Sequence, residues 1–252
     1  MSQTLERHFD ACFCINLERR IDRWKETQSE IIKNFGVNPE WIRRFDAYAH
    51  PTSGHQGCTR SHRTLLRQIA NGDWGRVLVL EDDVELVTFE ALKPRGFRPG
   101  SKVWETHASI LKGSGTLNER FCELSAHLPA HYDVLYLGAA YGEPPISRLN
   151  KHVLRVGFMQ TTGSYGITKH FAQEWTARVD ASLGCTDKMT EVEKLERHPG
   201  PIDNVFGGMA KDHLYYCFQP RLLFQRTSWS DLEDKESCHL NSMTDPVHEN
   251  MV

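Results

Sequence analysis

The 252-residue sequence has no apolar run approaching the roughly 18 residues that a membrane-spanning helix requires, so no transmembrane segment is expected. Residues Met1 to Asp10 are polar and charged and lack the apolar core of a signal peptide. A soluble, cytoplasmic chain is the expectation, with peripheral association with a membrane left open. Positive charge is not in excess: 30 Lys and Arg stand against 33 Asp and Glu, a formal net charge of −3. A general nucleic-acid binder is normally basic, so nucleic acid is not an expected partner. Cys12, Cys14, Cys58, Cys122, Cys185, Cys217 and Cys238 are odd in number, scattered, and form no Cys-x-x-Cys pair. That pattern speaks against a disulfide framework or a structural zinc site, and Cys12 and Cys14 read as buried reduced thiols on a strand. Internal repeats and low-complexity segments are missing as well.

The length suits one sizeable α/β domain. Ala11 to Leu17 (ACFCINL) reads as a buried first strand. Ile21, Trp24, Ile31, Ile32 and Phe35 recur at helical spacing until Gly36 stops the helix. Trp41 to Tyr48 suits a second strand. After the turn-rich stretch His50 to Gly57, a helix is expected from about Cys58 to Asn71, with Leu65, Leu66 and Ile69 on its apolar face. Val77 to Leu80 is the strongest buried-strand signal. The alternation of strand and helix favours a largely parallel sheet.

Beyond this, Lys93 to Gly115 reads as a long loop or insertion. A short helix is expected over Glu119 to His127, strands at Asp133 to Ala139, Val153 to Val156 and Ser164 to Thr168, and a helix over His170 to Leu183. Cys185 to Gly200 reads as exposed, Ile202 to Met209 as a short helix, and Leu214 to Phe224 as a strand broken by Pro220. One domain is expected over residues 1–233, its donor-binding half at about 10–90 and its acceptor-side half at about 130–233, followed by a polar tail at 234–252.

Three places carry chemistry. The strand Val77 to Leu80 runs into Glu81-Asp82-Asp83. Three consecutive carboxylates at the C-terminal end of a parallel strand lie where α/β folds bind ligands, and they repel one another unless a cation joins them. Oxygen ligands suit magnesium or manganese, which can neutralise a departing diphosphate. If the strand continues, Glu81 and Asp83 share one side and Asp82 faces the other. A solvated acidic turn is the plainer alternative. Asn16 to Arg23 (NLERRIDR) joins a strand to a helix, with Arg20 and Arg23 one turn apart; such arginines suit a phosphate or simply a solvated face. In Gly57-Cys58-Thr59-Arg60-Ser61-His62, the glycine permits a sharp turn, and His62 lies on the apolar side, as a site residue or a satisfied core histidine.

Taken together, INLERRIDR, GCTRSH and LVLEDDVEL resemble glycosyltransferase family 25, the lipopolysaccharide and lipooligosaccharide glycosyltransferases related to collagen galactosyltransferase domains. DVLYLGA and SYGITKHFA match later blocks in order, as do PIDNVF and QRTSWSDLE more loosely, so the resemblance spans about Cys14 to Glu233. The segment Lys93 to Leu117 matches nothing in it. The resemblance implies a GT-A-type nucleotide-sugar transferase fold, with a mostly parallel central sheet flanked by helices. It also implies a divalent metal (Mn2+ or Mg2+), and inverting transfer from a UDP-sugar, galactose first, to a glycan or glycolipid acceptor. It makes Asp83 the first metal ligand, with Glu81 as a second. Asn16, Arg20, Arg23, Ser61, His62, Glu81 and Asp82 become donor-binding candidates. His213 and His239 are candidates for a further ligand. The base that takes the acceptor proton is expected at Asp203 or Asp231. Either could instead cap a helix or turn, and Trp229 could stack on a sugar or simply pack. A binding protein that has lost catalysis is the alternative from another class; a metal-dependent phosphohydrolase ranks below it, for want of further His and Asp clusters.

Overall fold

The computed structural model describes residues 3–88 and 115–226, and the backbone of 228–230 and 235–237. A short helix α1 (Leu5–His8) precedes β1 (Ala11–Leu17), which coincides with the expected first strand. Helix α2 (Ile21–Glu30) continues into a wider turn over Ile31–Phe35 that ends at Gly36. There φ is +65°, and a Cβ would come within 2.5 Å of Thr116 Oγ1, so both conformation and space select glycine. Of the apolar residues expected on one stripe here, Ile31 and Phe35 are buried, whereas Ile21 and Ile32 are exposed.

β2 (Ile42–Ala47) leads into α3 (Gly54–Asn71), which starts four residues before the expected Cys58. The cause is local: the Ser53 hydroxyl accepts the Gln56 N–H and caps the helix within the stretch read as a turn. Next come β3 (Arg76–Glu81), β4 (Val84–Leu86) and α4 (Leu117–Ser125), the last opened by a capping box between Thr116 and Glu119. The second half contains β5 (Val134–Tyr141), β6 (Ser147–Asn150), β7 (Val153–Val156), β8 (Met159–Thr168), α5 (Lys169–Ser182), α6 (Glu191–Glu196), α7 (Ile202–Met209), β9 (Tyr215–Phe218) and β10 (Leu223–Gln225). The expected insertion at 93–117 lies outside the described residues up to 114, and the polar tail at 234–252 lies outside them apart from the backbone of 235–237.

Eight strands form one sheet in the order β2-β1-β3-β8-β5-β9-β7-β6. Of these, β8 and β7 run against the other six, so the sheet is mostly parallel and flanked by helices, as expected. Period-two alternation explains why β1 and β3 are apolar throughout. Ala11, Phe13, Ile15, Val77 and Val79 face the layer built by α3, α5 and α7. Cys12, Cys14, Leu78 and Leu80 face the opposite layer, with α1 and α4. The C-terminal ends of β1 and β3 open side by side. A separate antiparallel pair, β4 with β10, crosses in front of them and brings Gln225 opposite Val84. No helix among the described residues is long and apolar enough to cross a membrane.

Candidate active site

β3 ends at Glu81, and Asp82-Asp83 form a turn into β4, so the triplet does not continue as an extended strand. Each carboxylate therefore has its own surroundings rather than one of two faces. Asp82 is bound on both oxygens: Oδ1 accepts from Arg23 Nη1 at 2.8 Å and Oδ2 from Asn16 Nδ2 at 2.6 Å. Its carbonyl also accepts from Thr27 Oγ1 at 2.8 Å. Asp82 thus ties β3 to β1 and α2. Asn16 is buried in the same network, its Oδ1 accepting from Arg44 Nε at 2.8 Å. Arg20 turns back onto Asp22 (2.9 Å) and does not line the cleft described below.

Glu81 faces α3 and β8. Its Oε1 lies 3.2 Å from His62 Nε2 and 3.0 Å from Thr162 Oγ1, and Oε2 accepts from Gln225 Nε2 at 3.1 Å. Burial raises its pKa, but the His62 and Thr162 hydrogen bonds and nearby positive charge outweigh burial and hold it below the usual carboxylate value. Asp83 has weaker partners: Gln225 Nε2 at 3.4 Å and Arg23 Nη1 at 4.0 Å. Burial, then repulsion from Glu81 and Asp82, pushes its pKa up to about 7, against the opposing pull of Arg23 and Arg226. One of three crowded acids thus carries poorly compensated charge near neutral pH.

Helix α3 forms the opposite wall. Gly57 lets the helix press on the chain after β2, since a Cβ there would come within 2.7 Å of the Tyr48 carbonyl. Ser61 fastens the same contact, its hydroxyl donating to the Gly57 carbonyl (2.7 Å) and accepting from Tyr48 N–H (2.8 Å). His62 is fully buried between Tyr165 Oη (2.9 Å from Nδ1) and Glu81, so it is at once a satisfied core histidine and a wall of the cleft.

These groups border a cleft of about 430 Å³, with Arg19, Arg23, His62, Glu81, Asp83 and Asp203 among its walls. Asp203 lies in the first turn of α7 rather than at its N-cap, which is Pro201. Capping by Asp203 is therefore corrected: its Oδ1 accepts the adjacent Asn204 N–H, at 2.9 Å. His213 is placed elsewhere. It is buried against Phe171 and bonded to Asp133, away from the acidic turn, because Leu214 leads into β9, which runs parallel to β3, so the residues before β9 lie at the opposite edge of the sheet from those that follow β3. Asp231, His239 and the side chain of Trp229 lie outside the described residues.

Thr162, Gln225 and Arg226 were not expected from the sequence. They come from β8, β10 and the residue after β10. The Arg226 N–H donates to the Asp83 carbonyl (2.8 Å), and its guanidinium donates to the Asp82 carbonyl (3.1 Å). Thr161, also on the cleft, has φ of +66°, unusual for a β-branched residue. It falls where the β5–β8 register shifts between Gly138 and Ala140.

The donor set fits a hard divalent cation. Asp83 and Glu81 offer carboxylate oxygens to one cleft, and Asp83 is destabilised by the very charge that a cation would remove. Asp82, saturated by Arg23 and Asn16, does not fit as a ligand.

Residues 25–183 match the sequence profile of glycosyltransferase family 25 (LPS biosynthesis protein), a span containing α3, the acidic turn, β5 and β8. No curated protein matches the sequence. Solved structures with remote similarity include A197 from STIV, at 10% identity over 90% of this chain and 92% of that one, TM-score 0.39. Mannose-1-phosphate geranyltransferase from Thermus thermophilus is 12% identical over 84% and 74%, TM-score 0.44. A glycosyltransferase involved in glycosylation of the major capsid of PBCV-1 is 11% identical over 82% and 92%, TM-score 0.36. With more than half of its length matched by the family profile, this chain belongs to glycosyltransferase family 25.

Proposed function

We propose that this glycosyltransferase moves a hexose, galactose first, from a UDP-sugar to a hydroxyl of a glycan or glycolipid, in the cytoplasm and with inversion at the anomeric carbon. One observation carries the reading: Asp83, with its raised pKa, lines the same cleft as Arg19, Arg23 and Asp203. Manganese or magnesium held by Asp83, with Glu81 as second ligand, would neutralise the diphosphate as it leaves. Arg23 is held by Asp82 at the mouth of the donor side, and guanidinium groups there can meet phosphate oxygens.

Asp203 is the proposed base. The acceptor oxygen forms a bond to the anomeric carbon while the bond from that carbon to the diphosphate oxygen breaks. The hydroxyl proton passes to Asp203, and the negative charge departs on the diphosphate. Direct displacement of this kind inverts the anomeric centre, and it requires base and leaving group on opposite sides of the sugar. Asp203 on α7 and Asp83 after β3 approach the cleft from different elements, which supports those roles.

The test is incubation with UDP-galactose, manganese and a panel of glycan acceptors, reading the linkage of any product by NMR. Acceptor-dependent product with the anomeric configuration opposite to the donor's supports the reading. Retained configuration overturns inversion, and release of sugar without acceptor dependence overturns transfer.

A further inference from the structure

On the wall of the same cleft, three different metal-ligating groups meet. Cys58 and His62 lie one turn apart on α3 and project toward Glu81 at the end of β3. The Cys58 Sγ, a ring nitrogen of His62 and a carboxylate oxygen of Glu81 all lie within 4.8 Å of one another. We propose that Cys58, His62 and Glu81 form a binding site for a thiophilic divalent cation, zinc in the first instance, distinct from a hard cation at Asp83.

The chemistry of the set selects the ion. Thiolate and imidazole favour zinc over magnesium or manganese, which prefer oxygen. Three protein ligands and a fourth position reached from the cleft is the pattern of an open zinc site rather than a closed structural one. Donor atoms around tetrahedral zinc lie about 3.3–3.8 Å apart, so the trio must contract by roughly 1 Å, within reach of side-chain rotation. The pair His62 Nε2 and Glu81 Oε1 is already at 3.2 Å.

The surroundings suit the set. Tyr165 Oη lies 2.9 Å from His62 Nδ1, and the tyrosine is fully buried. A hydroxyl both donates and accepts, so it serves either tautomer. Without metal, Nε2–H can donate to Glu81. With metal, Nδ1–H donates to Tyr165 and the Nε2 lone pair faces the ion. Such an outer hydrogen bond fixes ring orientation in metal-binding histidines. Thr162 and Gln225 hold the Glu81 carboxylate in the same manner. On binding, the Cys58 proton passes to solvent and the sulfur binds as thiolate.

The proposal does not depend on sugar transfer: Glu81 would serve this ion through Oε1, which faces His62, and the cation at Asp83 through Oε2, which shares Gln225 with Asp83. The test is cobalt(II) titration of the chelator-stripped full chain, with zinc competition and metal analysis. One equivalent of cobalt with a sulfur-to-cobalt charge-transfer band, displaced by zinc, is expected. The band should vanish in Cys58→Ser and persist in Cys122→Ser, a free thiol on α4 outside the cleft, with folding of both checked by circular dichroism. If Cys58→Ser fails to fold, Glu81→Gln, which keeps the shape, replaces it and should weaken cobalt binding at least tenfold. No band in the wild-type chain, a band that survives in folded Cys58→Ser, or unchanged cobalt affinity in Glu81→Gln overturns the site. UDP-dependent stabilisation with manganese, measured on the same samples, tests the donor reading separately: either result can fail while the other stands.

Discussion

Asp83 sits at the midpoint of its titration at about pH 7, while an unfolded aspartate titrates at 3.8. Between those values the folded chain holds a proton that the unfolded chain has lost. Its contribution to stability therefore falls as pH rises from about 4 to about 7, and the penalty is full above that. Asp83→Asn removes the penalty. In the metal-free protein at pH 8 we expect a gain of about 1–2 kcal/mol, or roughly 2–8 °C in Tm, and a flatter pH dependence. The same variant should lose manganese-dependent donor binding. Scanning calorimetry across pH, with and without manganese, checks both; an unchanged Tm at pH 8 would place the charge elsewhere. Asp203→Asn tests the base. An asparagine can still accept the Asn204 N–H, so the fold and donor binding should survive, while the transfer rate falls by about 10²–10⁴. Asp231→Asn is the parallel variant: if it loses transfer and Asp203→Asn does not, the base is Asp231. The triplet was legible as a cluster because its residues are consecutive. The separate surroundings of Glu81, Asp82 and Asp83 were not, because Thr162, Gln225 and Arg226 come from strands far along the chain with no local pattern pointing to the cleft.

At the scale of elements, the acidic turn depends on β10 crossing over β5. Gly138 makes that crossing possible: a Cβ there would lie 2.3 Å from the Leu223 carbonyl oxygen and 2.8 Å from Ser164 Oγ. These neighbours are backbone and a packed strand, so they cannot swing aside. Gly138→Ala should cost at least the ~1–3 kcal/mol of ordinary overpacking, and it should displace β10 and with it Gln225 from Glu81. Urea denaturation paired with donor titration measures this. A variant of wild-type stability and donor affinity would mean that β10 does not hold the turn. The sequence located β1 and β3 because their apolar runs are short and sharply bounded. It placed the start of α3 four residues late because Ser53 and Gly54 look like turn residues until the capping hydrogen bond is known. Nothing in it warned of β6, whose Ser147, Arg148 and Leu149 are exposed at the sheet edge and carry no apolar alternation.

For the whole molecule, strand and helix alternate up to the acidic turn, so a largely parallel sheet was readable from order alone, though not that β1 lies between β2 and β3. The reversed strands β8 and β7 were not, because direction depends on which distant strand each joins. The C-terminal ends of β2, β1 and β3 open together, beside the residue whose charge most needs a cation. We propose that this opening takes a uridine nucleotide together with a metal. A thermal-shift comparison of UDP, GDP and CMP, each with and without manganese, tests it most directly, since selective binding raises Tm by mass action. UDP with manganese should give the largest shift, and chelation should abolish it. Equal shifts for all three nucleotides, or a UDP shift unaffected by chelator, would contradict it.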